Sequence, residues 1–406
     1  MKILQVISSF PPAYSYGGAL QITYNLSKEL IRRGHKVTVY TTDVFDRASR
    51  LKYKDNPMYY DGIEVYHFNN LNNSLANRKF AFAPNMFFTL RRDIERFDLI
   101  HIHEYYSLHF LFASYWARKS NIPYIVQPHG SLPNTIGKKN FKILFDYIFG
   151  NKILKNANAL IALNAMEAQQ YKSMGLESNK VYIIPNSIDV NKYRDIKIKD
   201  NFRTQYSIEK TDKIILFMGR LHKIKSVDLL INAFARLSKK YSRLKLVIAG
   251  PDDGELKHLL KLIHDLDIEK DVIMTGLLTG DDKILAYVNA DIFVLPSIYD
   301  AFPTTILESC ACGTPVIVTK NCGLAEFANS VGFVINHNEY ELERVLNDYL
   351  FQSSIIFDKE EIIKKTQNKY DINRIVDMLE LVYNGICQDR LPCRRAVPTK
   401  DENGYE

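Results

Sequence analysis

Along most of the chain, short unbroken apolar runs alternate with longer stretches in which apolar positions recur every three to four residues. Most of the runs are rich in β-branched residues and continuous rather than alternating with polar ones, the pattern of parallel strands covered on both faces. In the first half they predict strands at 2–8, 37–41, 65–68, 99–103, 124–127, 160–163 and 181–184. In the second half they predict strands at 214–218, 246–250, 272–275, 293–296, 316–319 and 333–335. Amphipathic helices are predicted between them, for example at 19–33, 226–240 and 255–263.

This order indicates α/β architecture with parallel sheets. The two halves echo each other: a strand, a loop with small or basic residues, then an amphipathic helix. Two doubly wound, Rossmann-like domains facing across a cleft fit that repetition better than one very wide sheet. The polar stretch 189–213 is the best linker candidate, so the expected domains are 1–190 and 191–367. A helix at 372–383 closes the pattern, and the charged tail 388–406 is expected to be disordered.

Composition narrows the picture. The chain has 406 residues, 46% hydrophobic and 24% charged, enough for two ordinary globular cores. No apolar run reaches the ~18 residues a membrane span requires. The first strand is too short for a signal-peptide core. Five cysteines without regular spacing suit a reducing compartment, so a cytoplasmic protein is expected.

The net charge of +7 is modest, and favours phosphate-rich ligands or an anionic membrane face. Lys138, Lys139 and Lys142 are mixed with Phe141, Phe145 and Phe149. That segment reads either as a half-buried helix with a solvated basic edge or as an interfacial amphipathic helix. No basic stripe with regular aromatic interleaving is present, so no nucleic-acid partner is expected.

Ligands of open α/β domains sit at the carboxyl ends of the strands, and several candidates fall there. Gly17-Gly18, at a helix start after the first strand, would let backbone N–H groups approach an anion. Arg220 and Lys225 follow a strand, where Arg can fork onto a diphosphate and Lys can act as a point charge. Asp300 and Glu308 bracket Phe302-Pro303-Thr304, with Pro303 suited to a first helical turn.

Paired carboxylates also suit glycoside hydrolysis, but a hydrolase leaves the Arg–Lys pair without a task. His129 follows the strand at 124–127, at the ligand-facing edge. His101 and His103 share one strand face without an evident third metal ligand, which favours packing and hydrogen bonding. Asp252-Asp253 and Asp281-Asp282 look like turn or helix-start residues. Cys310 and Cys312 read as core, and Asn186 to Asp189 as a turn.

Together these segments resemble the family-4 retaining glycosyltransferases of the GT-B fold, the "glycosyltransferase group 1" type. The resemblance runs to about residue 386 and rests on the order of its pieces. These are Gly17-Gly18, Gly34 to Val39, Asp98 to His103, Pro128-His129-Gly130, Ile184 to Asp189, Gly219-Arg220 with Lys225, Gly250 to Asp253, and the acidic motif running through Glu308 and Gly313.

It implies transfer of a hexosyl-type sugar from a UDP-, GDP- or ADP-sugar to a glycan or lipid-linked acceptor, with retention, in surface polysaccharide or glycolipid biosynthesis. Carried over, His129, Asp300, Arg220 and Lys225 are the catalytic set. Gly17, Gly18, Gly276, Phe302, Pro303, Thr304 and Glu308 join Arg220 and Lys225 around the donor. No metal and no cofactor besides the donor substrate are implied, and a helix near 368–386 would return to complete the first domain. Peripheral contact with an anionic membrane is compatible with a lipid-linked acceptor.

This chain departs from the family pattern at three points: Asp300 stands for the usual Glu, Ser226 for the Gly after Lys225, and Pro303 for a common Gly. Two other readings share the architecture, a sugar-nucleotide epimerase and a non-catalytic nucleotide-sugar-binding subunit. An NAD-dependent oxidoreductase lacks its glycine fingerprint here.

Overall fold

A computed structural model describes residues 1–13, 18–46, 49–53, 55–71, 82–132, 139–194, 201–352 and 355–388, with only the backbone at 139–141. The chain forms two units, Met1–Ile184 with Ile375–Glu406, and Pro185–Arg374. The stretch 189–213, expected as a linker, carries short helices at Asn191–Arg194 and Phe202–Gln205 with Phe202 buried. Residues 195–200 of that stretch lie outside the described residues.

The first unit holds β1 (Lys2–Val6), β2 (Lys36–Thr42), β3 (Met58–Tyr60), β4 (Ile63–Phe68), β5 (Leu99–His103), β6 (Tyr124–Gln127), β7 (Ala159–Ala162) and β8 (Val181–Ile183). They make an 8-stranded sheet in the order β3-β4-β2-β1-β5-β6-β7-β8. All neighbours are parallel except β3 and β4. Residues on both faces of β7 are buried, which is why this strand reads as a continuous apolar run.

The helix Gly18–Arg32 buries Leu20, Ile22, Leu26 and Leu30 along one stripe. The closing helix Ile372–Gln388 packs Ile375, Val376, Leu379, Val382 and Tyr383 inward. It is tied to the first unit by Arg33 and His35, whose side chains lie 2.7 and 2.6 Å from the Glu380 carboxylate. Gln388 ends that helix; the rest of the tail expected to be disordered lies outside the described residues.

The second unit holds β9 (Lys213–Met218), β10 (Leu244–Ala249), β11 (Val272–Gly276), β12 (Ile292–Leu295), β13 (Val316–Thr319) and β14 (Gly332–Ile335). Its 6-stranded sheet has the order β11-β10-β9-β12-β13-β14, parallel throughout. Both units are thus doubly wound Rossmann-like sheets. The order reverses between β1 and β5 in one unit and between β9 and β12 in the other. Those reversal points are where open α/β sheets bind ligands. No helix among the described residues is long and apolar enough to cross a membrane.

Each predicted strand lies within two residues of its expected bounds, and the structure adds β3. That strand is a short edge piece, Met-Tyr-Tyr, with Tyr59 exposed. Its signal is too short and too solvated to separate from loop.

Candidate active site

In the second unit, the loop after β9 carries Arg220 and ends in the one-turn helix Lys223–Lys225. His222 caps that turn, its side chain accepting from the Ile224 N–H. Ser226 then adopts a left-handed conformation, φ 48°, before the helix Val227–Ser238 begins. This is a position where glycine is cheapest. The serine is held by a 2.8 Å hydrogen bond between its Oγ and His337 Nε2.

The loop after β12 presents Asp300 across the reversal point. Lys225 Nζ forms an ion pair with the Asp300 carboxylate, each side chain 15% exposed. The two loops are also joined by the backbone, the Ile298 N–H donating to the Ile224 carbonyl at 2.9 Å. Asp300 is fixed in turn by the Gly323 N–H, 2.7 Å from its carbonyl oxygen. The arrangement brings together the cation and the carboxylate that stand 75 residues apart in the chain.

Arg220 pairs with Asp253, whose own N–H donates to the Leu221 carbonyl at 3.1 Å. Asp252 accepts from the N–H groups of Gly254, Glu255 and Leu256, capping the helix Leu256–Asp265 as expected of a helix-start residue. Asp281 and Asp282 likewise lie in the first turn of the helix Gly280–Asn289.

Glu308 lies within the helix Thr304–Ala311. Its Oε1 accepts from Lys283 Nζ at 2.7 Å and its Oε2 from the Tyr287 hydroxyl at 2.9 Å. An ionised carboxylate has about four lone-pair sites, so both oxygens keep acceptor capacity for ligand hydroxyls. Burial first, and then the Glu308 charge, drive the Tyr287 hydroxyl well above the usual phenol range. It stays a neutral donor.

Two predicted donor residues sit differently from expectation. Pro303 is the residue before the helix, at φ −74° and ψ 110°, rather than in its first turn. Its extended backbone turns the chain so that Thr304 opens the helix. The Phe302 ring is buried, 6.0 Å edge-on from Tyr370, so its side chain serves the core.

Gly276 ends β11 at φ 71°, and its carbonyl accepts from the Gly250 N–H at 2.7 Å. At Gly250 a Cβ would lie 1.8 Å from the Gly219 carbonyl oxygen, so the ends of β9 and β10 approach only because no side chain intervenes. Beside these glycines a groove of about 340 Å³ is lined by Leu221, Pro251, Asp252, Met274, Gly276 and Leu277, among others. Its walls are mostly apolar.

In the first unit, Gly18 opens its helix and is exposed, while Gly17 lies outside the described residues. His129 follows β6 in the left-handed region, φ 53°, with Gly130 at φ 77°. Its Nε2 is 2.8 Å from His103 Nδ1, and His103 Nε2 is 2.5 Å from Gln5 Oε1 on β1. His101 stacks on His103 at 4.2 Å and hydrogen-bonds the Tyr383 hydroxyl through Nδ1 at 2.7 Å.

Burial drives the imidazole of His101 down to about 3 and that of His103 far below the usual range, so both are neutral. Glu167 fastens the same loop: its carboxylate accepts from the Gly130 N–H at 2.7 Å and the Leu163 N–H at 2.8 Å. Burial raises this carboxyl to about 7 despite those two bonds. Glu104, directly after β5, accepts from the Ser8 N–H at 3.2 Å and so joins the end of β5 to the loop after β1.

The glycosyl transferases group 1 family pattern matches residues 198–367, and the Glycosyltransferase Family 4 pattern matches residues 16–192. The chain belongs to the group 1, family-4 type of glycosyltransferase. An uncharacterised glycosyltransferase of Methanocaldococcus jannaschii is 26% identical over 404 residues, covering 92% of this chain and 98% of its own. A D-inositol 3-phosphate glycosyltransferase of Kineococcus radiotolerans is 26% identical, with 76% of this chain and 74% of its own covered.

Among solved structures, Anabaena HepE in complex with UDP and glucose superposes with a TM-score of 0.73 at 19% identity, covering 95% of this chain and 100% of that one. Sucrose-phosphate synthase of Thermosynechococcus elongatus gives 0.76 at 15% identity, covering 96% and 100%. At such identities the superpositions show the shared fold.

Within this glycosyltransferase the sequence pattern missed Asp253, Lys283, Tyr287, Glu104 and Glu167 as site partners. Lys283 and Tyr287 stand four apart on one helix, which placed them on a common face without naming what they faced. Glu167 had only the signature of a helix start, three residues after Asn164.

Proposed function

We propose that this glycosyltransferase moves a hexosyl unit from a nucleoside diphosphate sugar to a glycan or lipid-linked acceptor, with retention of the anomeric configuration. The observation that carries the reading is the Lys225–Asp300 pair at the β9/β12 reversal point, with Arg220 and Glu308 on the neighbouring loop and helix. In this reading Arg220 and Lys225 exchange part of their carboxylate pairing for the diphosphate. The helix start at Thr304 adds N–H dipoles. Glu308, steadied by Lys283 and Tyr287, accepts from the ribose hydroxyls. The groove beside Met274 and Gly276 takes the base, Asp300 faces the donor sugar, and His129 is assigned to the sugar from the first unit, together with the Gly17-Gly18 loop.

The bond from the anomeric carbon to the β-phosphate oxygen breaks, and the nucleoside diphosphate leaves. A bond from the acceptor oxygen forms on the same face, and the acceptor proton passes to the departing phosphate. Negative charge grows on that phosphate, so fixed cations stabilise the transition state more than the ground state. Arg220 and Lys225 take the place that a metal ion holds in many phosphate sites. The Anabaena relative in complex with UDP and glucose supports a nucleotide sugar as donor, and the inositol phosphate glycosyltransferases support a hydroxyl acceptor. Surface polysaccharide or glycolipid synthesis is the process such an activity would serve.

The test pairs a thermal-shift screen of UDP-, GDP- and ADP-sugars with transfer assays of Lys225→Ala. One of the three donors should add roughly 2.7 kcal/mol of stability at a hundredfold excess over its dissociation constant. The substitution should lower the rate on the order of 10²–10³-fold. Wild-type transfer rates at low and saturating donor in Lys225→Ala would refute the clamp.

A further inference from the structure

We propose that the segment Lys142–Asn156 of the first unit is a docking surface for an anionic lipid bilayer. The inference is drawn from this unit alone and does not rest on the donor reading. After β6 the chain runs through a helix at Lys139–Phe145, a π-turn at Asp146–Gly150 and a helix at Asn151–Asn156. Ile143, Leu144, Tyr147, Ile148 and Phe149 are all exposed, Tyr147 by 85%. Monomeric globular surfaces seldom gather so many bulky apolar side chains in one place without a partner.

The outward rotation of these side chains is built in. Asp146 points inward, accepting from the hydroxyls of Tyr105 at 2.8 Å and Tyr106 at 3.0 Å. The Phe145 ring packs edge-on against both tyrosines. Gly150 passes so close to Tyr105 that a Cβ there would lie 2.0 Å from its hydroxyl oxygen. With 145, 146 and 150 anchored, 144, 147 and 148 must face solvent.

Charge decides the occupant. Every charged side chain of 142–156 other than the buried Asp146 is a lysine: Lys142, Lys152 and Lys155. Lys152 and Lys155 follow Ile148 by four and seven residues, which puts them on the apolar side of the segment. An apolar stripe with a purely cationic rim and an amphipathic tyrosine is the chemistry of helices that lie in the headgroup layer. The centre of a protein–protein interface, by contrast, is depleted in lysine. The long lysine stems let the ammonium groups reach lipid phosphates while the apolar residues enter the acyl boundary.

Vesicle flotation of the full chain tests this without donor or acceptor. The wild-type protein should float with phosphatidylcholine vesicles containing phosphatidylglycerol and remain largely unbound with phosphatidylcholine alone. Tyr147→Ser, alone and with Leu144→Ser and Ile148→Ser, should weaken binding to the anionic vesicles at least about tenfold. Lys152→Glu with Lys155→Glu should reduce it by roughly fivefold or more per lysine, and added salt should mimic that loss. All the substituted side chains are exposed, so the unfolding midpoint should stay at the wild-type value. The proposal is overturned if the wild type floats with neither vesicle, or if the substitutions leave flotation unchanged. Self-association through this face, abolished by Tyr147→Ser while flotation is absent, would overturn it equally.

Discussion

His129 Nε2 lies 2.8 Å from His103 Nδ1, and the far nitrogen of His103 lies 2.5 Å from the amide oxygen of Gln5. An amide oxygen only accepts, so His103 carries its proton on Nε2 and offers a lone pair at Nδ1. His129 must then donate through Nε2. A buried, uncharged histidine thus orients the ring of the residue assigned to the sugar.

His103→Asn should therefore lower kcat by roughly tenfold to a hundredfold through misalignment of His129, with little change in donor affinity. Steady-state kinetics beside donor calorimetry would separate the two. An unchanged kcat would leave His103 as packing alone.

Asp300 and Lys225 neutralise each other in the ligand-free protein. Asp300→Asn removes the carboxylate that competes with a diphosphate for the ammonium group. Nucleoside diphosphate should bind more tightly to this variant, while sugar transfer falls by about 10²-fold or more. Isothermal titration with the diphosphate, set against turnover, reads both. Weaker binding would place Asp300 on the phosphates' side of the ledger rather than the sugar's.

Ser226 stands at φ 48° with its hydroxyl bonded to His337. Left-handed backbone costs a non-glycine residue about 1–2 kcal/mol, and the hydrogen bond returns about 1 kcal/mol. Ser226→Gly relieves the first and forfeits the second, so its denaturation midpoint should stay near wild type. Ser226→Ala keeps the strain and loses the bond, and should be less stable by about 1 kcal/mol. The order expected in urea is glycine close to serine, with alanine clearly below.

Glu167 holds its proton up to about 7 in the folded chain, against 4.5 for the free side chain. The folded state therefore binds this proton more tightly than the unfolded state. The stabilisation from this difference is fully present below about 4.5 and is lost as pH rises through about 7. Unfolding midpoints measured across that window should fall with pH for wild type. They should fall less for Glu167→Gln, which cannot titrate. The variant should also be less stable at every pH below the window's upper end, because its amide NH2 meets a backbone N–H of Leu163 or Gly130. Parallel curves for the two proteins would show that Glu167 does not titrate there.

The strands, their parallel arrangement and the division into two similar sheets were legible along the chain. Doubly covered strands must be apolar at successive positions, and that demand leaves its mark in local sequence. Strand β3 escaped because an exposed edge of three residues has no such demand. Arg220, Lys225 and Asp300 were visible as candidates because polar residues soon after apolar runs stand at the ligand-bearing ends of strands, and Glu308 because it brackets a helix start with Asp300.

Pairing was not visible. Nothing local to Lys283 or Tyr287 says that both will meet Glu308, and nothing near residue 129 names His103 or Glu167 as the groups that hold it. The exposure of Tyr147 and Leu144 was equally open, since an apolar helix face looks the same whether it turns inward or outward. Hydrophobic periodicity thus determines elements and fold class, because burial acts on each segment separately. Only tertiary structure decides which charges meet and which apolar face is left in water, because hydrogen bonds and ion pairs join residues far apart in sequence within a few ångströms of one another.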